Sequence, residues 1–121
     1  MSIYDDVLAT SFNVVRNEMN MRGAKMMGFD LYTADLRLAD LTHAVMYRAT
    51  LNNAYLRMAA LHNADLSQAK LNGAILRGAS LIGANLSGAI LRGADLSEAS
   101  DLDKAKLPEG WREALEAADL I

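Results

Sequence analysis

The 121-residue chain has no cysteine, which excludes disulfides and thiolate metal sites from holding its fold. That fits a reducing compartment. Aromatic residues are scarce, 6% against 52% apolar residues in all, and the apolar share is mostly Leu, Ala and Met. Small, uniform aliphatics suit a narrow interior better than a roomy globular core. No apolar run approaches the ~18 residues that span a bilayer, so no membrane segment is expected. No N-terminal stretch combines a basic start, an apolar run and a cleavage site, so secretion is not expected and a cytoplasmic location is. There is one proline, Pro108. The net charge of -3 is mild and is better interpreted locally than globally. The length suits one compact domain.

What is present is a period of five. In GAILRGASLIGANLSGAILRGADL, Gly73 to Leu96, Ala-x-Leu returns every fifth residue. Fifteen consecutive repeats run from Ala24-Lys-Met26 to Ala94-Asp-Leu96, departing from Ala only at Phe29 and from Leu only at Met26 and Met46. Internal repeats of this regularity outrank other local signals. A strand repeats every two residues and a helix every 3.6, so five matches neither. On a helix the apolar position would drift about 140° per repeat and wrap around every side. Within a repeat, Ala and Leu are two apart and face the same way. Each repeat therefore holds a short extended piece and a corner. Corners of one hand coil the chain into a β-solenoid.

The Ala-(Asp/Asn)-Leu-x-x string over about 24–100 resembles the pentapeptide-repeat family. The resemblance implies an all-β solenoid, a right-handed quadrilateral β-helix with four repeats per coil. Fifteen repeats then make just under four coils, about 18 Å tall at roughly 4.8 Å per strand layer, with Leu and Met filling the axis.

The ends depart from the pattern. Residues 1–18 are expected to form an irregular N-terminal cap segment, with Leu8, Phe12, Val15 and, just beyond it, Met19 following helical spacing. The solenoid is placed at 19–107 and a C-terminal helix at 108–121. Asp101 occupies a Leu position, and one inserted residue restores Ala105-Lys-Leu107. A helix is expected to start at Pro108 or Glu109, with Trp111, Leu115 and Ala118 on one face. Trp111 and Leu115 would cover the last Leu layer, because open solenoid ends need caps. The resemblance also implies homodimers formed through this helix.

A Leu-filled solenoid has no cleft with converging polar groups, so no enzyme is expected. His43 and His62 fall in neighbouring outward columns of adjacent coils, but no third ligand accompanies them, and neither a metal nor another cofactor is expected. The Asp residues of Ala-Asp-Leu are assigned to solvation and to hydrogen bonds with nearby backbone at the corners. Gly73, Gly78, Gly83, Gly88 and Gly93 are assigned to corners rather than to a phosphate loop.

Positions 20 apart become vertical neighbours in such a coil. One wall then stacks Arg37, Arg57 and Arg77 in a column, with Asp35, Tyr55, Ile75 and Asp95 beside them and Leu38 and Met58 on the other flank. Neighbouring arginines repel by about 1 kcal/mol at most in water, and nothing in the fold demands them. Arg92, on the adjoining wall, extends a basic edge around the corner. Arg, Tyr and Met are the residues that interface centres prefer, so Arg37, Arg57, Arg77, Arg92, Tyr55 and Met58 are the candidate partner-binding set. On the adjoining wall Asn52 and Asn72 are expected to form an amide ladder.

The leading expectation is a non-catalytic scaffold for a protein partner. The alternative comes from the resemblance: some pentapeptide-repeat proteins imitate duplex DNA and bind a type II topoisomerase such as DNA gyrase. That reading wants a strongly acidic rod, whereas residues 24–98 carry six acids and seven bases. Direct nucleic-acid binding ranks lowest, since three or four phosphate contacts yield weak, salt-sensitive affinity.

Overall fold

The computed structural model describes residues 14–15, 18–119 and 121. Leu8 and Phe12 lie outside the described residues. The helical spacing extended through Val15 and Met19 does not hold there. Strand β1 (Val14–Val15) instead pairs antiparallel with β2 (Glu18–Met19). The Met19 carbonyl accepts the Asp40 N–H at 2.8 Å, so pairing with the coil overrides the helical pattern of this short segment.

From Asn20 onward the backbone forms a stack. Parallel bridges join residues 20 apart at every fifth position, from Asn20–Asp40 to Ser80–Ser100. Between layers the N–H of Leu56 meets the Ile75 carbonyl at 2.7 Å and that of Met58 meets the Arg77 carbonyl at 2.9 Å. Each layer thus supplies the next with a ladder, which is why a chain of very short extended pieces holds together.

Each corner is a turn closed by an Ala N–H bonding the Leu carbonyl three residues earlier, as in Ala54 to Leu51 at 3.0 Å. The residue before that Ala has a positive φ, 59° at Asn53 and 69° at Gly73, as the third residue of a type II turn requires. The turn reverses the strand alternation, so the Ala and Leu (or Met) of each Ala-x-Leu repeat point inward. The repeat leucines from Leu31 to Leu86, and Met46, are fully buried. Burial of each such Leu is worth about 1.5–3 kcal/mol.

The final layer accommodates one extra residue. A 3₁₀ turn, Leu102–Lys104, follows Asp101 (φ 60°), and Asn85 pairs with Lys106 rather than with residue 105. The closing helix α1 spans Trp111–Ala117, starting later than Pro108 or Glu109. Gly110 has φ 74°, a left-handed conformation that cannot continue a right-handed helix, so the chain first makes a turn from Pro108. Leu115 is buried in the main core cluster and Trp111 packs half-buried against it.

Candidate partner-binding wall

The wall that carries the candidate set is built from Ala34–Leu36, Ala54–Leu56, Ala74–Leu76 and Ala94–Leu96. Bridges join Asp35 to Tyr55, Tyr55 to Ile75 and Ile75 to Asp95. Their backbones form one column, and the Arg37, Arg57 and Arg77 backbones form the next. The guanidinium groups do not stack as their backbones do. Arg37 turns back onto Asp35, donating from Nε at 2.8 Å and from a terminal nitrogen at 2.7 Å. Arg77 reaches Glu98 at 3.5 Å. Arg57, between them, has no ion-pair partner among the described residues. At the Arg77 end Glu98 takes the ion pair, while Asp95 accepts from the Ser97 N–H at 2.9 Å and feels the Arg77 charge without pairing with it.

Why six of the fifteen repeats carry Asp or Asn before the inward Leu is visible in the backbone. The N–H just after each Leu has no ladder partner, and the Asp or Asn two residues earlier accepts it. Asp30 serves Tyr32, Asp35 serves Arg37, Asp40 serves Thr42, Asp65 serves Ser67 and Asn85 serves Ser87, all within 3.0–3.2 Å. These local turns meet a donor that the fold leaves over. The Arg37 guanidinium and then its N–H lower the pKa of Asp35 against the opposing effect of burial. At Asp40 and Asp95 burial opposes ionisation, but the hydroxyl and amide of Thr42 or Ser97, helped by Arg22 or Arg77, outweigh it and lower both.

Tyr55 and Ile75 break that rule. Neither has an acceptor on its γ-carbon as Asp and Asn do, and the Arg57 and Arg77 N–H groups meet no acceptor among the described residues. The flank is apolar and open: Leu38 is 43% exposed, Tyr55 45% and Met58 56%. Met58 rests its sulfur where a Cβ on Gly78 would stand. Leu38 was on the flank in the sequence but outside the candidate set. Its signal was its place one coil from Met58.

The remaining assignments divide. Arg92 lies on the adjoining wall with its carbonyl bonded to the Gly73 N–H at 2.9 Å, at the corner leading into the Arg77 wall. Asn52 and Asn72 do not form a side-chain ladder. The Asn52 side-chain oxygen accepts the Asn72 backbone N–H at 2.9 Å, because that donor lacks an Asp of its own where Lys70 stands. His43 and His62 are neighbours through a 2.8 Å backbone bond, and His62 Nε2 lies 2.7 Å from the Ser80 hydroxyl. Among the described residues no cluster of His, Cys, Asp or Glu could hold a metal ion. No described helix is long and apolar enough to cross a membrane. At the C-terminal end, a cleft of about 340 Å³ opens between Leu91, Arg92 and Gly93 on one side and Pro108, Trp111 and Leu115 on the other.

The family model for pentapeptide repeats (8 copies) matches residues 20–57, 59–98 and 74–108. The chain belongs to the pentapeptide-repeat family. Membership implies the right-handed quadrilateral β-helix that the 20-residue register describes. Among solved structures, the chain is similar to a pentapeptide repeat protein of Nostoc Pcc 7120, at 38% identity and TM-score 0.69 over 75% of each chain. It is also similar to a pentapeptide repeat protein of the Arabidopsis thaliana thylakoid lumen, at 28% identity and TM-score 0.53. That match covers 79% of this chain and 70% of the other. No curated protein matches the chain.

Proposed function

We propose that this pentapeptide-repeat chain is a non-catalytic scaffold that binds a protein partner through the wall of Arg37, Arg57 and Arg77, together with Tyr55, Met58 and Leu38. The observation that carries this reading is the setting of Arg57. It is an exposed cation with no ion-pair partner among the described residues, flanked by three exposed apolar side chains on one face. An exposed apolar patch rimmed by charge is what a contact surface requires. Arg92 extends the positive edge toward the corner. The near balance of acids and bases along the rod favours this reading over imitation of duplex DNA. An acidic partner surface would complement it, steering the encounter and fixing the register.

The test is capture of partners from the native host with the wild-type chain and with Arg57→Glu plus Arg77→Glu, the recovered proteins identified by mass spectrometry. The double variant is expected to lose the principal partner while its circular dichroism stays unchanged. Equal recovery by both chains, with the fold intact, would end the proposal.

A further inference from the structure

The structure contains an internal template for what this wall recognises. At the first layer, Asp35 Oδ1 accepts from both the Arg37 N–H at 3.2 Å and its Nε at 2.8 Å, while Oδ2 accepts from the guanidinium at 2.7 Å. One carboxylate thus meets a backbone donor and a guanidinium together. One layer on, the parallel bridge places Tyr55 directly beside Asp35. Arg57 repeats the backbone place of Arg37, but its repeat brings no carboxylate. The next layer repeats the arrangement with Ile75 and Arg77, whose N–H meets no acceptor among the described residues and whose guanidinium has only the long 3.5 Å contact with the exposed Glu98.

We propose, on the scaffold reading above, that Arg57 and Arg77 form two carboxylate-accepting slots for an acidic segment of the partner. A partner Asp or Glu side chain takes at each slot the role that Asp35 plays at Arg37. It accepts the backbone N–H and the guanidinium, and such charge-assisted forked contacts are the strong ones. The two donors stand one strand layer apart, about 4.8 Å, close to the roughly 5–6 Å between side chains three or four apart on a helix. Tyr55, Leu38 and Met58 then receive the apolar residues beside the acids. The occupant is an acidic protein segment with paired carboxylates.

Three other features of the molecule point to no ligand of their own. The cleft at Trp111 brings together apolar side chains with Arg92 and Glu109, charges of both signs. The His43–His62 pair has no third ligand. Of the other repeats that lack an Asp or Asn, only the one at Ile90 is followed by an arginine, Arg92, and that slot stands alone on its wall.

The ¹⁵N-labelled full chain, titrated at low salt with an acetylated, amidated hexaglutamate peptide, tests the proposal. The amide protons of Arg57 and Arg77 are expected to move downfield and to saturate. In Tyr55→Asp, which restores the residue type of Asp35 and Asp95 in the same column, the Arg57 shift should vanish and the Arg77 shift remain. Tyr55→Phe, which keeps the ring, should retain both. Hexaglutamate that moves neither amide, or moves them equally in Tyr55→Asp, overturns the slots. So does a single-stranded oligonucleotide that shifts these amides while hexaglutamate does not. Partner capture separates the two proposals. If Tyr55→Asp captures the native partner as wild type does while the double Glu variant fails, the slots fall and the scaffold reading stands. If the double Glu variant captures it normally, the scaffold reading falls.

Discussion

The corners between Thr33 and Gln68 and those between Gly73 and Gly93 have the same backbone and opposite chemistry. In the first group φ is 58° at Thr33, 64° at Leu38, 62° at His43, 59° at Arg48 and 61° at Met58, with Asn and Gln at the others. In the second group every corner is glycine, with φ between 69° and 72°. Left-handed backbone costs an ordinary L-residue about 1–2 kcal/mol, and the first group endures this at five non-amide positions. The ladder makes that tolerable. Each corner is fixed by its own turn bond and by bonds to the next layer, such as Leu38 to the Arg57 carbonyl at 3.0 Å. Strain of this kind persists only where the surroundings over-determine the backbone.

The difference is useful to the surface. Side chains from the last non-glycine layer fold over the glycines below them: Asn53 over Gly73, Met58 over Gly78 and Asn63 over Gly83. The glycines of the later coils are thus seats as well as turns. The exposed Leu38 and Met58 beside Arg57 exist because two corners forgo the cheaper residue.

The largest effect expected from breaking this contrast is at Gly73. Gly73→Ala should destabilise by about 1–2 kcal/mol from backbone strain, with a further loss because its Cβ would overlap the Asn53 side-chain oxygen. Gly93→Ala meets only ordinary contacts, with Gly73 at 3.7 Å, and should show the strain alone. Urea unfolding midpoints compare the two, and equal losses would remove the seating role. The opposite exchange has offsetting terms. Leu38→Gly relieves about 1–2 kcal/mol of corner strain but gives up the buried part of a side chain that is 43% exposed and adds glycine's unfolded freedom, so it should be near neutral. Asn63→Gly should be near neutral by the same measurement, because Asn tolerates this conformation.

The smallest effect is in acid. Asp35, Asp40 and Asp95 are held below their ordinary value of 3.8. A lowered folded pKa gives stability that is fully present above the unfolded value and is lost as pH falls through the folded one. Unfolding midpoints should therefore be flat from neutral pH to about 5 and decline below the unfolded value of 3.8. The partly exposed carboxylates keep the decline modest. Asp40→Asn should flatten it in part, and an unchanged acid slope in that variant would assign the decline to other groups.

Much of this was legible because a period of five carries both facts that the solenoid needs: which residues face inward and where the corners fall. The inserted residue near Asp101 was legible for the same reason, as a break in register, and it appears as the 21-residue pairing of Asn85 with Lys106. The role of Asp as an acceptor near the corners was legible in its residue type. The backbone donor it meets became visible only with the ladder complete. The pairing of Val14–Val15 with Glu18–Met19 was hidden, since helical spacing over a few residues competes poorly with strand partners brought by the coil. The start of α1 was misplaced for a related reason, because proline at a first helical position is a general preference and Gly110 took the left-handed turn that decided the matter.

By itself the sequence determined the five-residue period and the apolar interior, which follow from spacing alone, since a repeated local shape must close in a repeated way. The columns into which Arg37, Arg57 and Arg77 fall needed the four-repeat coil that the family resemblance implies. Only the tertiary structure decided which arginine was left alone. Arg37 and Arg77 find acids by side-chain reach across two residues and across one layer. Arg57 finds none among the described residues, an outcome that depends on distances in three dimensions.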